Sequence, residues 1–402
     1  MGIDSDALRD RVWVGELNSG NTADNCFQDI HVGFYDTTLR DGEQTVGVVF
    51  DPAQKVEIAR HLDALGVERI EAGFPRVSAE DLDAFRRIVE ADLKAEVWGF
   101  SRALKGDVDA LIDLEVRHAV IEVPTSEIKL SAYGLTHQKV TQRAVDAIRY
   151  ANENGISVAF FAVDGTRTEL SFLKDMYQAS LEAGAQEIVV VDTIGVCGPE
   201  AVEILIGKVR AWVGSDVPLH FHGHNDFGMA TASAIAAVRA GARWIQGTIN
   251  GMGERAGNAD ICEIGMALSC LYGVSVDLQF DKVLEISKLV QEYGGYQLDA
   301  WRPLVGRNLF VRESGAVVSQ FHIPEAIEPF SAEITGAPRA IVLGKKSGLA
   351  SIELKLKELD LELARKQLPA VLAAVKRLSV AQKGLVSDAQ FREVVATFNG
   401  AD

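Results

Sequence analysis

Nowhere in the sequence do apolar residues run to the roughly 18 that a membrane span needs, so a soluble protein is expected. Positive charge is short: 40 Lys and Arg face 57 Asp and Glu, and the formal net charge of −17 repels phosphate backbones and anionic lipid. No nucleic-acid or membrane partner is expected, although a single pocket can still be basic. Cysteine is sparse. Cys26, Cys197, Cys262 and Cys270 are too widely spaced to suggest a disulfide framework and read as reduced thiols, which suits a cytoplasmic location. The N-terminal stretch lacks an apolar core ahead of a cleavage site and carries Asp4, Asp6, Asp10 and Glu16. Residues 1–30 therefore read as an N-terminal extension.

What the chain does have is the 48% hydrophobic and 24% charged make-up of a globular protein, and at 402 residues it exceeds what one core usually serves. Short β-branched or apolar runs occur at Val32–Tyr35, Arg69–Ala72, Glu96–Trp98, Ala119–Val123, Ser157–Ala162, Glu187–Val191, Leu219–His222 and Trp244–Thr248. They alternate with longer amphipathic stretches such as Ala53–Leu65, where Val56, Ile58, Ala59 and Leu62 recur at helical spacing before Gly66 ends the run. This predicts a (β/α)₈ TIM barrel over 31–279, with an open doubly wound sheet as the alternative. The barrel is preferred because polar residues cluster just after the strand ends, where barrel enzymes gather their sites. Over 280–402 the pattern changes to helical runs broken by Gly294-Gly295, Pro303, Gly306, Pro324, Gly336 and Pro338, a small, mainly helical C-terminal lid and linker region. Ile352–Ser379 predicts a helical run for packing or for dimerisation, or a solvated helix closing the subdomain.

Three segments carry chemistry. In His220-Phe221-His222-Gly223-His224, residues two apart on a strand share a face, so His222 and His224 can aim paired imidazoles at the barrel mouth. A lone pair of this kind is more often core than ligand. After the first strand, however, Arg40 and Asp41 set a guanidinium beside a carboxylate, and Gly251 to Asn258 after the eighth strand lets backbone approach a ligand with an amide at hand.

These segments, DTTLRDGEQ at 36–44, HFHGHNDFGMA at 220–230 and GTINGMGERAGN at 247–258, with LGKKSG at 343–348, resemble the metal-dependent acyl-CoA condensing enzymes. That family includes isopropylmalate, homocitrate and citramalate synthases and is related to hydroxymethylglutaryl-CoA lyase. The resemblance implies a divalent cation, zinc, manganese or magnesium, held by Asp41, His222 and His224 with Asn258 close by. It implies Claisen-type condensation of an acyl-CoA, acetyl-CoA foremost, with a 2-oxo acid to a 2-alkylmalate or homocitrate-like product. Arg40 would stabilise the alkoxide, Gln44 and Thr193 would orient substrate, and Glu71 and Arg312 are counted among the substrate-binding residues. The expected partners are those two small molecules, and the expected assembly is a homodimer.

The chain also departs from that pattern. Where the synthases have a Glu-Asp pair after the fifth strand it has Val163-Asp164, and their histidine-bearing lid motif reads Phe310-Val311-Arg312-Glu313-Ser314-Gly315-Ala316-Val317. Valine at 163 and 317 can neither accept nor hold a proton. Either His322 serves from a displaced lid, or another base such as Glu313 is used, or the enzyme takes a different nucleophile or runs as a lyase or aldolase. A catalytically silent homologue is the remaining alternative. Arg302, Arg307 and Arg312 make the lid basic, for a second anionic group on the substrate or for surface ion pairs. Phe100 stands near where homocitrate synthases carry a histidine, which counts against homocitrate. Cys197 could be activated by a helix start or be inert, and Gly344-Lys345-Lys346-Ser347-Gly348 lacks the full phosphate-loop pattern.

Overall fold

A computed structural model describes residues 10–18, 27 and 30–399; Cys26 and most of the N-terminal extension lie outside the described residues. The chain divides into two compact units, one containing Gly15–Leu298 and the other Asp299–Asp402. In the first, β1 (Gly33–Asp36), β2 (Arg69–Glu71), β3 (Glu96–Arg102), β4 (His118–Pro124), β5 (Ser157–Val163), β6 (Glu187–Asp192), β7 (Leu219–Gly223) and β8 (Trp244–Gly247) form a closed parallel barrel. It closes through β1 and β8, from Gly33 opposite Trp244 to Asp36 opposite Gly247. The predicted barrel is therefore the observed one.

Each crossover is helical: α1 (Pro52–Leu65), α2 (Ala79–Val89), α3 (Lys105–Asp113), α4 (Glu127–Tyr133), α5 (His137–Glu153), α6 (Leu170–Glu182), α7 (Pro199–Val213) and α8 (Ala230–Arg239), with α9 (Ile261–Tyr272) and α10 (Val283–Gly294) following β8. Local chemistry sets these bounds. The Asp51 carboxylate accepts from the N–H groups of Ala53 and Gln54 at 2.8 and 2.9 Å, which starts α1. Gly66 ends it in the left-handed region at φ 93°, where an added Cβ would lie 2.3 Å from the Asp277 carbonyl oxygen.

Alternate strand residues face the barrel axis, and Tyr35, Trp98, Phe100, Val120, Phe161 and Val189 pack there as part of one cluster. Towards the N-terminal ends of the strands the filling is ionic. Arg69 forks onto Glu187 at 2.7 and 3.1 Å, with its guanidinium 3.5 Å from the Trp244 ring centroid, and His220 also bonds Glu187. The third strand is longer than its apolar run suggests. It continues to Arg102 because β4 pairs it as far as Arg102 opposite Glu122, which brings Phe100 and Arg102 within the strand.

The second unit holds a two-stranded sheet, β9 (Val311–Arg312) with β10 (Ala340–Ile341), and α11 (Gly315–Val318), α12 (Leu349–Glu358), α13 (Leu368–Gln382) and α14 (Asp388–Asn399). The run predicted over Ile352–Ser379 is two helices. Asp360 takes a left-handed φ of 52°, and a 3-10 turn at Arg365–Gln367 separates α12 from α13. Ile352, Leu356, Val371 and Val375 bury themselves with Phe391 and Val395, so the solvated reading of this segment is replaced by a packing one. Gly344 to Gly348 form a turn in which Gly344 N–H donates to Ser347 Oγ at 2.9 Å. From the N-terminal side, Val12 bridges Phe330 and Trp13 N–H donates to the Pro329 carbonyl at 2.9 Å.

Candidate active site

The segment after β1 is wired to the far side of the barrel seam. Asp36 accepts from Thr38 N–H and Thr38 Oγ1, both at 2.8 Å, and Thr38 Oγ1 accepts from Ile249 N–H at 2.9 Å. The Thr37 carbonyl accepts from the N–H groups of Asp41 and Gly42 at 2.8 and 3.0 Å. This tight turn presents Arg40 and Asp41 at the mouth. Burial, only partly opposed by the hydrogen bonds from Thr38, pushes the Asp36 carboxyl up to about 7, and its contacts build the turn.

Asp41 meets the imidazole pair there. Its Oδ2 lies 3.2 Å from His222 Nε2 and 3.4 Å from His224 Nε2, the two nitrogens are 3.4 Å apart, and all three residues are buried. The Gln246 amide sorts the protons. Its Nε2 faces His220 Nδ1 and its Oε1 faces His222 Nδ1, both at 3.2 Å, so His222 carries its hydrogen on Nδ1 and turns a lone pair towards Asp41. Burial lowers the His222 pKa against the pull of Asp41, which keeps that ring neutral. Burial opposes ionisation of Asp41, yet Arg40 beside it holds its carboxyl well below the usual range.

Asn258 closes the group. Its Nδ2 donates to Asp41 Oδ2 at 3.0 Å and to the Met252 carbonyl at 2.9 Å, while its Oδ1 is buried without a hydrogen-bond partner among the described residues. The His222 lone pair and an Asp41 carboxylate oxygen thus face one another in a buried place, an arrangement that is costly unless a cation sits between them. Asp41, His222 and His224 have ligand atoms close enough to hold one ion, and their mixture of oxygen and imidazole donors fits a divalent metal. The glycines of this loop are required by geometry. A Cβ on Gly257, at φ 83°, would lie 1.9 Å from the Gly251 carbonyl oxygen, and one on Gly253, at φ 148°, 2.3 Å from Asn258 Nδ2.

Arg40 stands beside these residues. Its Nε donates to Glu71 Oε2 at 2.7 Å, its guanidinium lies 4.3 Å from the Phe100 ring centroid, and its buried Nη2 has no partner among the described residues. Glu71 also accepts from the Tyr35 hydroxyl at 3.3 Å. Both Glu71 oxygens are thus engaged by protein, one by Arg40 and one by Tyr35. Thr193 Oγ1 accepts from Asp164 N–H at 2.8 Å at the end of β6. Gln44 ends the Gly42–Gln44 3-10 turn with its side chain exposed and making no hydrogen bond among the described residues, while its N–H donates to the Asp41 carbonyl at 3.2 Å.

Residues 31–290 match the HMGL-like family, and residues 304–383 match the homocitrate synthase post-HMGL domain-like family. The chain belongs to the HMGL-like family. It is 43% identical over 363 residues to the homocitrate synthase AksA of Methanopyrus kandleri, covering 90% of this chain and 91% of that one. It is also 43% identical over 338 residues to the 2-isopropylmalate synthase of Methanocaldococcus jannaschii, 83% of this chain and 64% of that one. The HMG-CoA lyase of Brucella melitensis shares the fold, with a TM-score of 0.59 and 19% identity over 66% of this chain and 99% of that chain.

Within this HMGL-like barrel, Val163 ends β5 half-buried against the interior cluster, so an apolar side chain occupies the position where the sequence comparison expected a carboxylate. In the C-terminal unit, Arg312 Nη1 and Nη2 donate to the carbonyls of Leu309 and Ile327, each at 2.8 Å, and so serve the backbone of that unit. The Glu313 carboxylate accepts from Lys346 N–H at 2.9 Å and pairs with Lys346 Nζ at 3.6 Å. His322 is exposed. Cys197 is no activated thiol: burial, with Asp192 nearby, pushes it up to about 11. Sequence reasoning overlooked Gln246 and Glu122, polar residues at inward positions of β8 and β4. The signal was an amide in Trp244–Thr248 and an acid inside the apolar run of β4.

Proposed function

We propose that this chain is a metal-dependent carbon–carbon bond-forming enzyme that condenses acetyl-CoA with a 2-oxo acid. The carrying observation is the convergence of Asp41 Oδ2, His222 Nε2 and His224 Nε2 beside an Arg40 guanidinium whose Nη2 has no partner among the described residues. Asp41, His222, His224 and Asn258 would hold the cation, which when bound supplies Lewis acidity towards the oxygens of the 2-oxo acid. Arg40, fixed by Glu71 and Phe100, directs Nη2 at the oxygen that gains charge as the oxo carbon is attacked. The names of relatives at 43% identity over most of the chain support this direction and leave the oxo acid open. A cytoplasmic homodimer is the assembly proposed with it.

A second reading, cleavage of a hydroxy acid by the same groups, is favoured by one observation: Val163 brings no base to the end of β5. One experiment separates the two. Metal-loaded protein is incubated with acetyl-CoA and pyruvate, 2-oxoisovalerate, oxaloacetate or 2-oxoglutarate, and in parallel with candidate hydroxy acids. Thiol release with a new tertiary alcohol supports the synthase; consumption of hydroxy acid without coenzyme A supports the lyase; no change in any mixture removes both.

A further inference from the structure

Condensation needs a group that takes a proton from carbon, and most carboxylates around the barrel mouth are already committed. Asp41 lies between the imidazoles, and Glu71 is held by Arg40 and Tyr35. Asp164 accepts from Arg167 at 2.8 and 2.7 Å and from Ser126 Oγ at 2.5 Å. Asp192 accepts from Thr166 Oγ1 and from the N–H groups of Val196 and Cys197. Glu122 differs. Among the described residues its carboxylate makes no hydrogen bond or ion pair, although Arg40 and Arg102 act on it electrostatically.

Its placement follows from strand parity. Val120, two residues earlier on β4, belongs to the interior cluster, so Glu122 points to the same side one layer nearer the mouth. Its sheet neighbours are Arg102 on β3 and Phe161 on β5, and Phe161 packs edge-on against His222 with ring centroids 5.2 Å apart. Glu122 and Val163 line one cavity of about 460 Å³, shared with Arg102, Lys139 and Arg143. The carboxylate lacking at the end of β5 is thus present one strand over, open to the same space.

We propose that Glu122 is the proton-transferring catalytic residue of this enzyme. The assignment rests on the condensation reading above. Glu122 takes a proton from the carbon beside the thioester carbonyl, and the C–H electron pair becomes an enolate. The enolate carbon bonds to the oxo carbon, and the carbonyl π pair moves to oxygen, where Arg40 Nη2 meets it. That alkoxide takes a proton from water, Glu122 returns its own to solvent, and water cleaves the thioester to a carboxylate and a free thiol. Burial, opposed by Arg40, pushes the Glu122 carboxyl up to about 7, a value suited to accepting a proton from carbon and giving it up near neutrality.

The test compares the parent, Glu122→Gln and Glu122→Asp, each metal-loaded, by thiol release, by deuterium uptake from D₂O into the acetyl methyl group, and by metal content and 2-oxo acid affinity. Glu122→Gln is expected to lose about 10²- to 10⁴-fold in kcat and to lose deuterium uptake, with metal content and oxo-acid affinity retained. Glu122→Asp keeps part of both activities, and if the Gln variant does not fold, a reduced rate at full metal content in the Asp variant supports the assignment. Parent-like turnover in Glu122→Gln, or in Glu122→Asp where only that variant folds, overturns Glu122 as the base and leaves the condensation reading standing. A parent that neither condenses nor exchanges with any oxo acid removes that reading, and the assignment with it.

Discussion

Arg40 Nε donates to Glu71 Oε2 at 2.7 Å, and the guanidinium so held has an Nη2 without a partner among the described residues. A planar fork held at one edge can present the other in a set direction, which a lysine cannot do. Arg40→Ala is therefore expected to lower kcat by about 10²- to 10³-fold with metal content unchanged, and Arg40→Lys to recover little of it. Glu71→Gln should cost less, because the amide keeps the shape and one acceptor. Steady-state kinetics on the metal-loaded variants check this ordering, and a parent-like kcat in Arg40→Ala would remove the residue from the chemistry.

Metal content follows a different set of residues. His222→Ala and His224→Ala should each lose the ion, and Gln246→Ala should weaken its binding by about 10- to 100-fold by freeing the His222 tautomer that Gln246 Oε1 selects at 3.2 Å. Titration with zinc and manganese against a chelator, alongside elemental analysis, gives the affinities. An unaltered affinity in Gln246→Ala would show that the tautomer is set by another contact.

Gly257→Ala is expected to perturb the loop carrying Asn258, since the new methyl would lie 1.9 Å from the Gly251 carbonyl oxygen at a φ of 83°. The backbone must shift, at a cost of about 1–3 kcal/mol, and Asn258 leaves its contact with Asp41. A lowered melting temperature together with weaker metal binding is the expected pair of observations. Weakened binding at an unchanged melting temperature would mean that the loop gives without strain.

Acid should unfold the barrel through its ionic filling. The bonds from His220 and Arg69 outweigh burial and hold the Glu187 carboxyl at about 2 against an ordinary 4.5. A depressed acid contributes stability fully above its unfolded pKa, and that contribution is lost as pH falls from about 4.5 towards 2, amounting to about 3 kcal/mol. His220, lowered from 6.5 by burial, acts in the same direction, because the unfolded chain binds its proton first. Denaturant melts of the parent across this range should show falling stability, with a shallower slope in Arg69→Met. Equal slopes would place the acid sensitivity elsewhere.

By itself the sequence determined the barrel, because eight β-branched runs separated by helical stretches of matching length leave few other ways to bury every strand on both faces. It also pointed to Arg40, Asp41, His222, His224 and Asn258, since each sits in a contiguous motif whose spacing or turn chemistry is local. Only tertiary structure decided what those residues have around them. Glu71 holding Arg40, Gln246 choosing the His222 tautomer and Glu122 making no side-chain hydrogen bond or ion pair among the described residues are relations between separate strands, and no periodicity along one strand encodes the neighbour opposite it. The same limit explains Ile352–Ser379: helical spacing continues across the break at Asp360, and the division into α12 and α13 lets both apolar faces enter one cluster with residues of α14. Propensity acts over a few neighbouring residues, whereas a barrel mouth is assembled from residues as far apart as Asp41 and Asn258, whose side chains meet at 3.0 Å only once the strands have closed.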